Sequence, residues 1–425
     1  MNNNMWKMGA KCRLAVAVLA CSSAAVQAYP LIESDSTQIN LDVEAVMGVF
    51  SSGETYGNSN SSPSWTEGYI KYGFSGAHQL NQGEVFGAIN AVTSGTWGDG
   101  DASGATTGKE RKTDLEDLFL GYRSDFFEVS VGRQNITIGD GFLLNGDGLN
   151  LGKGAGPEEL NRGGAYWLAP RKAFDKTALV RLGGDLGVRS DLFWFESDNV
   201  AQGKPEMAGI NIEHVSELGV VGFMHLKGLD VDDVWGNPAR DGQKTTSLRY
   251  QGSAGVDNLF LSAEYVHQSQ GDNSGSSKAW YAEAGWTFAD LSWSPSVNYR
   301  YTRYNTGYDP LFFGFNRGYG TWFQGEVAAN YAGPFGTDSV IHYLGVTAQP
   351  ADLLSVGVGY FDFNKTIGGS GDNDARELNF WAEWVVNDHL ILSPLIGFYK
   401  PDSANGTQGS TKLNTYGQIM AVIPF

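Results

Sequence analysis

The chain has 425 residues, a formal net charge of −18, 57 glycines and 13% aromatic residues. Such acidity excludes nucleic acid as a partner, because that interface needs basic patches, and the glycine and aromatic content favours strands and turns over a helical core. Past the N-terminus there is no run of about eighteen apolar residues, which excludes a membrane-spanning helix but not spanning strands, whose lipid face takes only alternate residues.

The first predicted element is a secretory signal over residues 1–28. Lys7, Lys11 and Arg13 make a positive n-region, Leu14 to Ala20 a short apolar stretch, and Val26-Gln27-Ala28 a small-residue cleavage site before Tyr29. Val18-Leu19-Ala20-Cys21 loosely resembles a lipobox, with Leu a poor fit at its second position. Both cysteines, Cys12 and Cys21, fall in the signal. Residues 29–425 are therefore expected to have no disulfide or thiol chemistry, although their compartment is oxidising.

Period-two patterns then recur along the chain, each opposing an apolar face to a polar one. Ile39, Leu41, Val43 and Met47 alternate with Asn40, Asp42 and Glu44. Ile70, Tyr72 and Phe74 oppose Glu67 and Lys71, and Leu118, Leu120 and Tyr122 oppose Asp117 and Arg123. Trp280, Trp286 and Phe288 oppose Tyr281, Glu283 and Thr287; Val297, Tyr299 and Tyr301 oppose Asn298 and Arg300. Leu378, Phe380, Trp384 and Val386 oppose Glu377, Asn379 and Glu383. The last run, Ile419, Ala421 and Ile423, closes on the terminal aromatic Phe425.

A soluble sandwich shows the same alternation. Aromatic residues crowding the strand ends, as interfacial girdles require, together with the signal and Phe425, point instead to a transmembrane barrel. The expected fold is all-β: one antiparallel barrel over residues 29–425 in a bacterial outer membrane, surrounded by its lipid. Short connections at Ser124-Asp125, Gly183-Gly184-Asp185, Pro350-Ala351-Asp352 and Asn387-Asp388 contrast with long ones at 95–113, 136–170, 227–243, 269–277, 364–374 and 400–411. The short set is assigned to the periplasm and the long set to the outside. About nineteen strand patterns conflict with the even number such a barrel needs. The slip lies around residues 305–320, and eighteen strands is the preferred count, with twenty or sixteen next.

Asp114-Leu115 followed by Gly121-Tyr122, then Val131-Gly132-Arg133-Gln134 and Gly139-Asp140, resembles the alginate export porin family of Gram-negative outer membranes. Tyr308 to Gly314, Gly320 to Glu326 and Ala348-Gln349-Pro350 are similar to its second half. The resemblance implies an eighteen-stranded barrel carrying an anionic uronate polysaccharide through an arginine-lined lumen.

Side-chain parity sends Lys71, Arg123, Arg181, Arg249 and Arg300 into the lumen, together with Asp42, Glu44, Asp117, Glu264, Glu283, Glu326, Glu377 and Glu383. The four arginines are the expected contacts for an anionic solute. A mixed lumen equally fits a general small-solute porin with a transverse field. Residues 139–164, with Glu158-Glu159 and Arg162, form a candidate inward constriction, and residues 308–317, with Asp309, Phe312, Phe313 and Arg317, a candidate gate; the alternative for a long loop is an outer shield.

Other chemistries find little support. Gly148 to Lys153 is one residue short of a phosphate loop. The acidic runs Asp99-Gly100-Asp101, Asp230 to Asp233 and Asp372 to Asp374 lack calcium-loop spacing. Six histidines are scattered without metal spacing, and Ser262 with His267, or Ser339 with His342, are near in sequence only. The expectation is a non-enzymatic channel with no cofactor, passing a hydrophilic solute or a polysaccharide; the alternatives are a barrel enzyme or an adhesin. By similarity to other outer-membrane proteins, Phe425 would engage the barrel-assembly machinery.

Overall fold

The computed structural model describes residues 29–425 apart from 233–236, 272–274, 316–324, 334, 365–366, 369–370, 373, 405–409 and 425, and apart from the side chains of 367, 368, 371 and 372. The signal, Phe425 and Arg317 lie outside the described residues.

The main sheet has 19 strands. Eighteen span the wall: β1 (Thr37–Ser52), β2 (Ser64–Leu80), β3 (Gly83–Gly98), β4 (Arg111–Arg123), β5 (Phe127–Gln134), β6 (Phe174–Leu182), β7 (Gly187–Glu196), β8 (Glu206–Ser216) and β9 (Gly219–Asp230) form one half. The other half is β10 (Lys244–Gly252), β11 (Leu259–Ser269), β12 (Ser276–Thr287), β13 (Ser296–Tyr304), β14 (Ser339–Ala351), β15 (Leu354–Asn364), β16 (Ala375–Asn387), β17 (Leu390–Pro401) and β18 (Asn414–Pro424). Each strand pairs antiparallel with its chain neighbour, and β1 closes the ring on β18 from Glu44↔Pro424 to Ser52↔Tyr416. Closure satisfies every ladder without leaving an edge in hydrocarbon.

The remaining strand is a short N-terminal arm, Tyr29–Glu33, which pairs with β1 from Tyr29↔Leu41 to Glu33↔Gln38. It covers the stretch of β1 that β18 is too short to reach. The nineteenth pattern expected near 305–320 contributes no wall strand among the described residues: after Tyr304 the chain turns into the lumen.

Connections at 81–82, 124–126, 183–186, 217–218, 352–353 and 388–389 share one end with the start of β1 and the end of β18, and 99–110, 135–173, 305–338 and 402–413 share the other. Outside the wall, Ile89, Leu118, Leu248 and Leu344 are exposed to the lipid side. Phe126, Phe288 and Trp293 mark the short-turn rim and Trp97 the long-loop rim, as interfacial aromatics do. Arg111 lies over the Trp97 ring at 3.9 Å.

One break in the alternation matters inside. Opposite Asn90 and Ala91, strand β4 shifts register, so Leu115 and Leu118 both point outward. The extra residue of this bulge turns Glu116 and Asp117 together into the lumen.

Candidate functional site

Two long loops fill the outer half of the lumen. Loop 135–173 is pinned to β2, β3 and β4 by groups that point inward from the wall. The Glu67 carboxylate accepts the backbone N–H groups of Trp167 and Leu168 at 2.9 and 3.0 Å, and the Glu116 carboxylate those of Lys172 and Ala173 at 2.7 and 2.9 Å. Thr96 Oγ1 accepts from Ala165 N at 2.9 Å. A carboxylate accepting two backbone N–H groups makes charge-assisted bonds, so a loop without regular structure is held as firmly as a helix cap.

Near its outer rim an arginine cluster joins the end of β5 to the same loop. Arg133, Arg162 and Arg171 all pair with Asp198, at 2.7, 3.5 and 3.3 Å, while Asp147 takes Arg162 at 2.8 Å and Asp114 takes Arg171 at 2.8 Å. Burial alone would raise Asp198, but Arg162, Arg133 and Arg171 outweigh it and hold the acid below its ordinary range.

Loop 305–338 enters from the opposite wall. Asp309 is clasped by Nε and Nη2 of Arg240 at 2.7 and 2.8 Å, and its backbone exchanges two bonds with the Gln268 amide. Phe312 packs edge-on against Phe174 and Phe195, with centroids 4.9 and 5.5 Å apart. Farther on, a one-turn helix at Ala328–Ala332 directs the N–H groups of Val327 and Ala328 at Glu377, both at 2.9 Å.

The two loops are zipped to each other. Asn145 N donates to Phe312 O at 2.8 Å, Phe312 N to Leu143 O at 3.1 Å, and Gly314 N to Gly141 O at 2.8 Å. A Cβ on Gly141, whose φ is +89°, would sit 2.8 Å from Gly314 O, so this close approach requires glycine. Trp167 Nε1 donates to Glu326 at 3.1 Å, and Tyr331 packs edge-on against Trp65 and tilted against Tyr416. Burial first, then the Glu377 charge, push Glu326 well above the usual carboxylate range.

On the short-turn side of this plug lies a cavity of about 680 Å³. Its walls carry Arg181, Arg189 and Arg249, facing Asp125, Asp140, Asp185, Asp191 and Glu213, with Thr137 to Asp140 of the first loop as its roof. Arg249 lies between Gly222 of β9 and Gly139 of that loop, where added Cβ atoms would stand 2.5 and 3.0 Å from the arginine side chain. Arg249 and Arg189 share Glu213, Arg181 pairs with Glu128 at 2.8 Å, and Tyr281 donates to Asp140 at 2.6 Å.

The expected lumen residues sit as follows. Lys71 pairs with Asp117 on the inner wall. Arg123 pairs with Glu84 at the short-turn rim, half exposed. Arg181 and Arg249 line the cavity, whereas Arg300 is buried beside Glu283 at 3.7 Å and under the rings of Phe315 and Tyr343. Glu326, assigned to the wall by parity, belongs to the infolded loop; its residue spacing reflected a helical turn and not a strand. Loop 139–164 turns inward, with Arg162 buried and Glu158 and Glu159 exposed at the outer rim. Asp309 and Phe312 are buried in the second loop, and Phe313 packs against it.

Sequence reasoning placed Glu67 on the polar face without a role and missed Glu116, Asp198, Arg189, Glu213 and Trp167. The consecutive pair Glu116-Asp117 was a visible signal, since strict alternation cannot send both inward. Ser262 and His267 stand on opposite faces of β11, so they form no catalytic pair. Asp101 closes its own loop by accepting from Ser103 N, Ala105 N and Thr106 Oγ1. No group of metal-ligating side chains occurs among the described residues.

No protein family matches the sequence, and no curated protein matches it. Among solved structures, the barrel is similar to Pseudomonas aeruginosa OccK5 (OpdH), with a TM-score of 0.58 and 9% identity over 91% of this chain and 98% of that one. It is also similar to Pseudomonas aeruginosa OccK3 (OpdO), at 0.58 and 12% over 90% and 95%, and to OccD3 (OpdP), at 0.54 and 10% over 94% and 93%. At 9 to 12% identity these likenesses show the barrel fold, and the resemblance to the alginate export family is not confirmed by them. The chain is an 18-stranded antiparallel transmembrane barrel of the bacterial outer-membrane type.

Proposed function

We propose that this barrel is a porin-like, non-enzymatic channel for small hydrophilic solutes. The observation that carries this reading is the charged cavity of about 680 Å³ beneath a plug of two interlocked loops, inside a wall wide enough for a channel. A polar lumen narrowed by inward loops selects by size and charge while letting solutes leave. Export of an anionic polymer, the narrower reading implied by the family resemblance, calls for arginines available to a polyanion. Here Arg123, Arg181, Arg249 and Arg300 each stand beside a wall carboxylate, which favours small solutes over a polysaccharide.

Reconstitution of residues 29–425 in planar bilayers tests the proposal. Discrete conductance steps are expected, with liposome swelling that slows as sugar size increases. A barrel passing no current at any voltage would overturn it.

A further inference from the structure

The charges lining the cavity do not balance. Five carboxylates, Asp125, Asp140, Asp185, Asp191 and Glu213, face three guanidinium groups. Each of those arginines is already engaged: Arg189 and Arg249 both meet Glu213, and Arg181 meets Glu128 and Asp191. Glu128 lies outside the five, so the acid surplus is larger than the lining alone suggests. Asp140 also accepts from the Tyr281 hydroxyl.

The pattern continues along the inner wall. Lys71 meets Asp117 and Arg123 meets Glu84, a carboxylate for each cation. Two acids accept from neutral donors: Asp42 from the Ser75 hydroxyl and Glu44 from the Tyr69 hydroxyl. A neutral donor stabilises a carboxylate without cancelling its charge. The field at the solute's position is therefore set by the acids, and low-dielectric walls focus it along the passage.

We infer that this passage is selective for cations and that its solutes are small organic cations such as amines and guanidinium compounds. The inference rests on the channel reading above, and it reverses the anionic preference that the inward arginines suggest when counted by themselves. An arginine already paired offers an anion little net attraction, whereas an amine gains from every acid its neighbours leave uncompensated.

The test is the zero-current potential of the reconstituted chain across a potassium chloride gradient, kept below about 0.1 M so that the Debye length exceeds about 10 Å. The potential should fall on the cation side, replacing chloride by acetate should leave the current nearly unchanged, and ethylammonium in place of potassium should still carry current. Asp125 and Asp185 are exposed in short turns, so Asp125→Asn with Asp185→Asn should leave the fold intact and move the potential toward zero. Asp140→Asn should move it further. A potential at zero or on the anion side overturns the inference while leaving the channel standing. A cation-side potential unmoved by all three substitutions also overturns it, because the selectivity would then arise elsewhere. Absence of any current overturns the channel reading and this inference with it.

Discussion

The indole of Trp167 donates its N–H to the carboxylate of Glu326 across 3.1 Å, joining two loops whose residues lie 159 positions apart. Both side chains are buried, and Glu326 takes a second bond from Asn330 at 3.1 Å. Each loop is separately fastened to the wall, one through Glu67 and the other through Glu377. The plug is thus one body anchored to the wall at two places, on β2 and β16, and releasing it requires breaking bonds at both.

Trp167→Phe keeps a ring against Phe50, whose centroid is 5.9 Å away, but removes the donor to Glu326. Leaving a buried acceptor short of a partner costs about 1–3 kcal/mol. The expected result is faster proteolysis of both loops and more frequent current excursions in single-channel records, with the heat stability of the barrel wall unchanged. Records and cleavage rates equal to the wild type would show that the bond does not hold the loops together.

Proton binding should act on the plug with a defined sign. Glu326 has its folded-state pKa raised by burial and then by Glu377, so its contribution is present at low pH and lost as pH rises through that raised value. Asp198 is lowered by its three arginines, so its contribution is present above the ordinary aspartate range and lost as pH falls through its depressed value. Loop docking should therefore be firmest between these two limits, and channel noise should increase on the alkaline side. Glu326→Gln, which keeps an acceptor and removes the titration, should abolish the alkaline increase; persistence of that increase would assign it to another group.

The wall was legible from sequence because a two-solvent strand writes its orientation in every second residue, as Ile70, Tyr72 and Phe74 do against Glu67 and Lys71. The plug was half legible. Length and glycine content singled out residues 139–164 and 308–317, but which wall they dock on depends on side chains far away in sequence, such as Glu67, 100 positions from Trp167. A further signal was available: Phe193 and Phe195 share the inward face of β7 with Arg189 and Asp191. Apolar residues on the wet face of a strand mean that something dry lies against them, and here it is Phe312. Pairing of the arginines was beyond reach, because parity assigns a face and says nothing of the neighbour across the ladder.

Substitutions at the two faces should separate cleanly. Leu248 on β10 and Leu344 on β14 are exposed to lipid near the middle of their strands. Arginine at either should destabilise the barrel by about 2–4 kcal/mol at the bilayer midplane. Arginine at Gln251, which lines the cavity, should leave unfolding in urea nearly unchanged and shift the zero-current potential toward the anion side. Equal losses of stability at both faces would contradict the assigned orientation.

Gly222 provides the space in which the Arg249 guanidinium lies. An added Cβ would stand 2.5 Å from Cζ and 2.7 Å from Nε of Arg249, and the φ of +61° at Gly139 on the far side leaves that loop little freedom to retreat. The flexible end of the arginine is what yields, so Gly222→Ala should drive the guanidinium away from Glu213 and into the cavity, at an overpacking cost of about 1–3 kcal/mol. Unitary conductance should fall because the passage narrows, and cation preference should weaken because a positive charge is released into it. Combining Gly222→Ala with Arg249→Ala removes the displaced group and should restore conductance. If the double variant conducts no better than Gly222→Ala alone, the loss comes from the wall and not from the arginine.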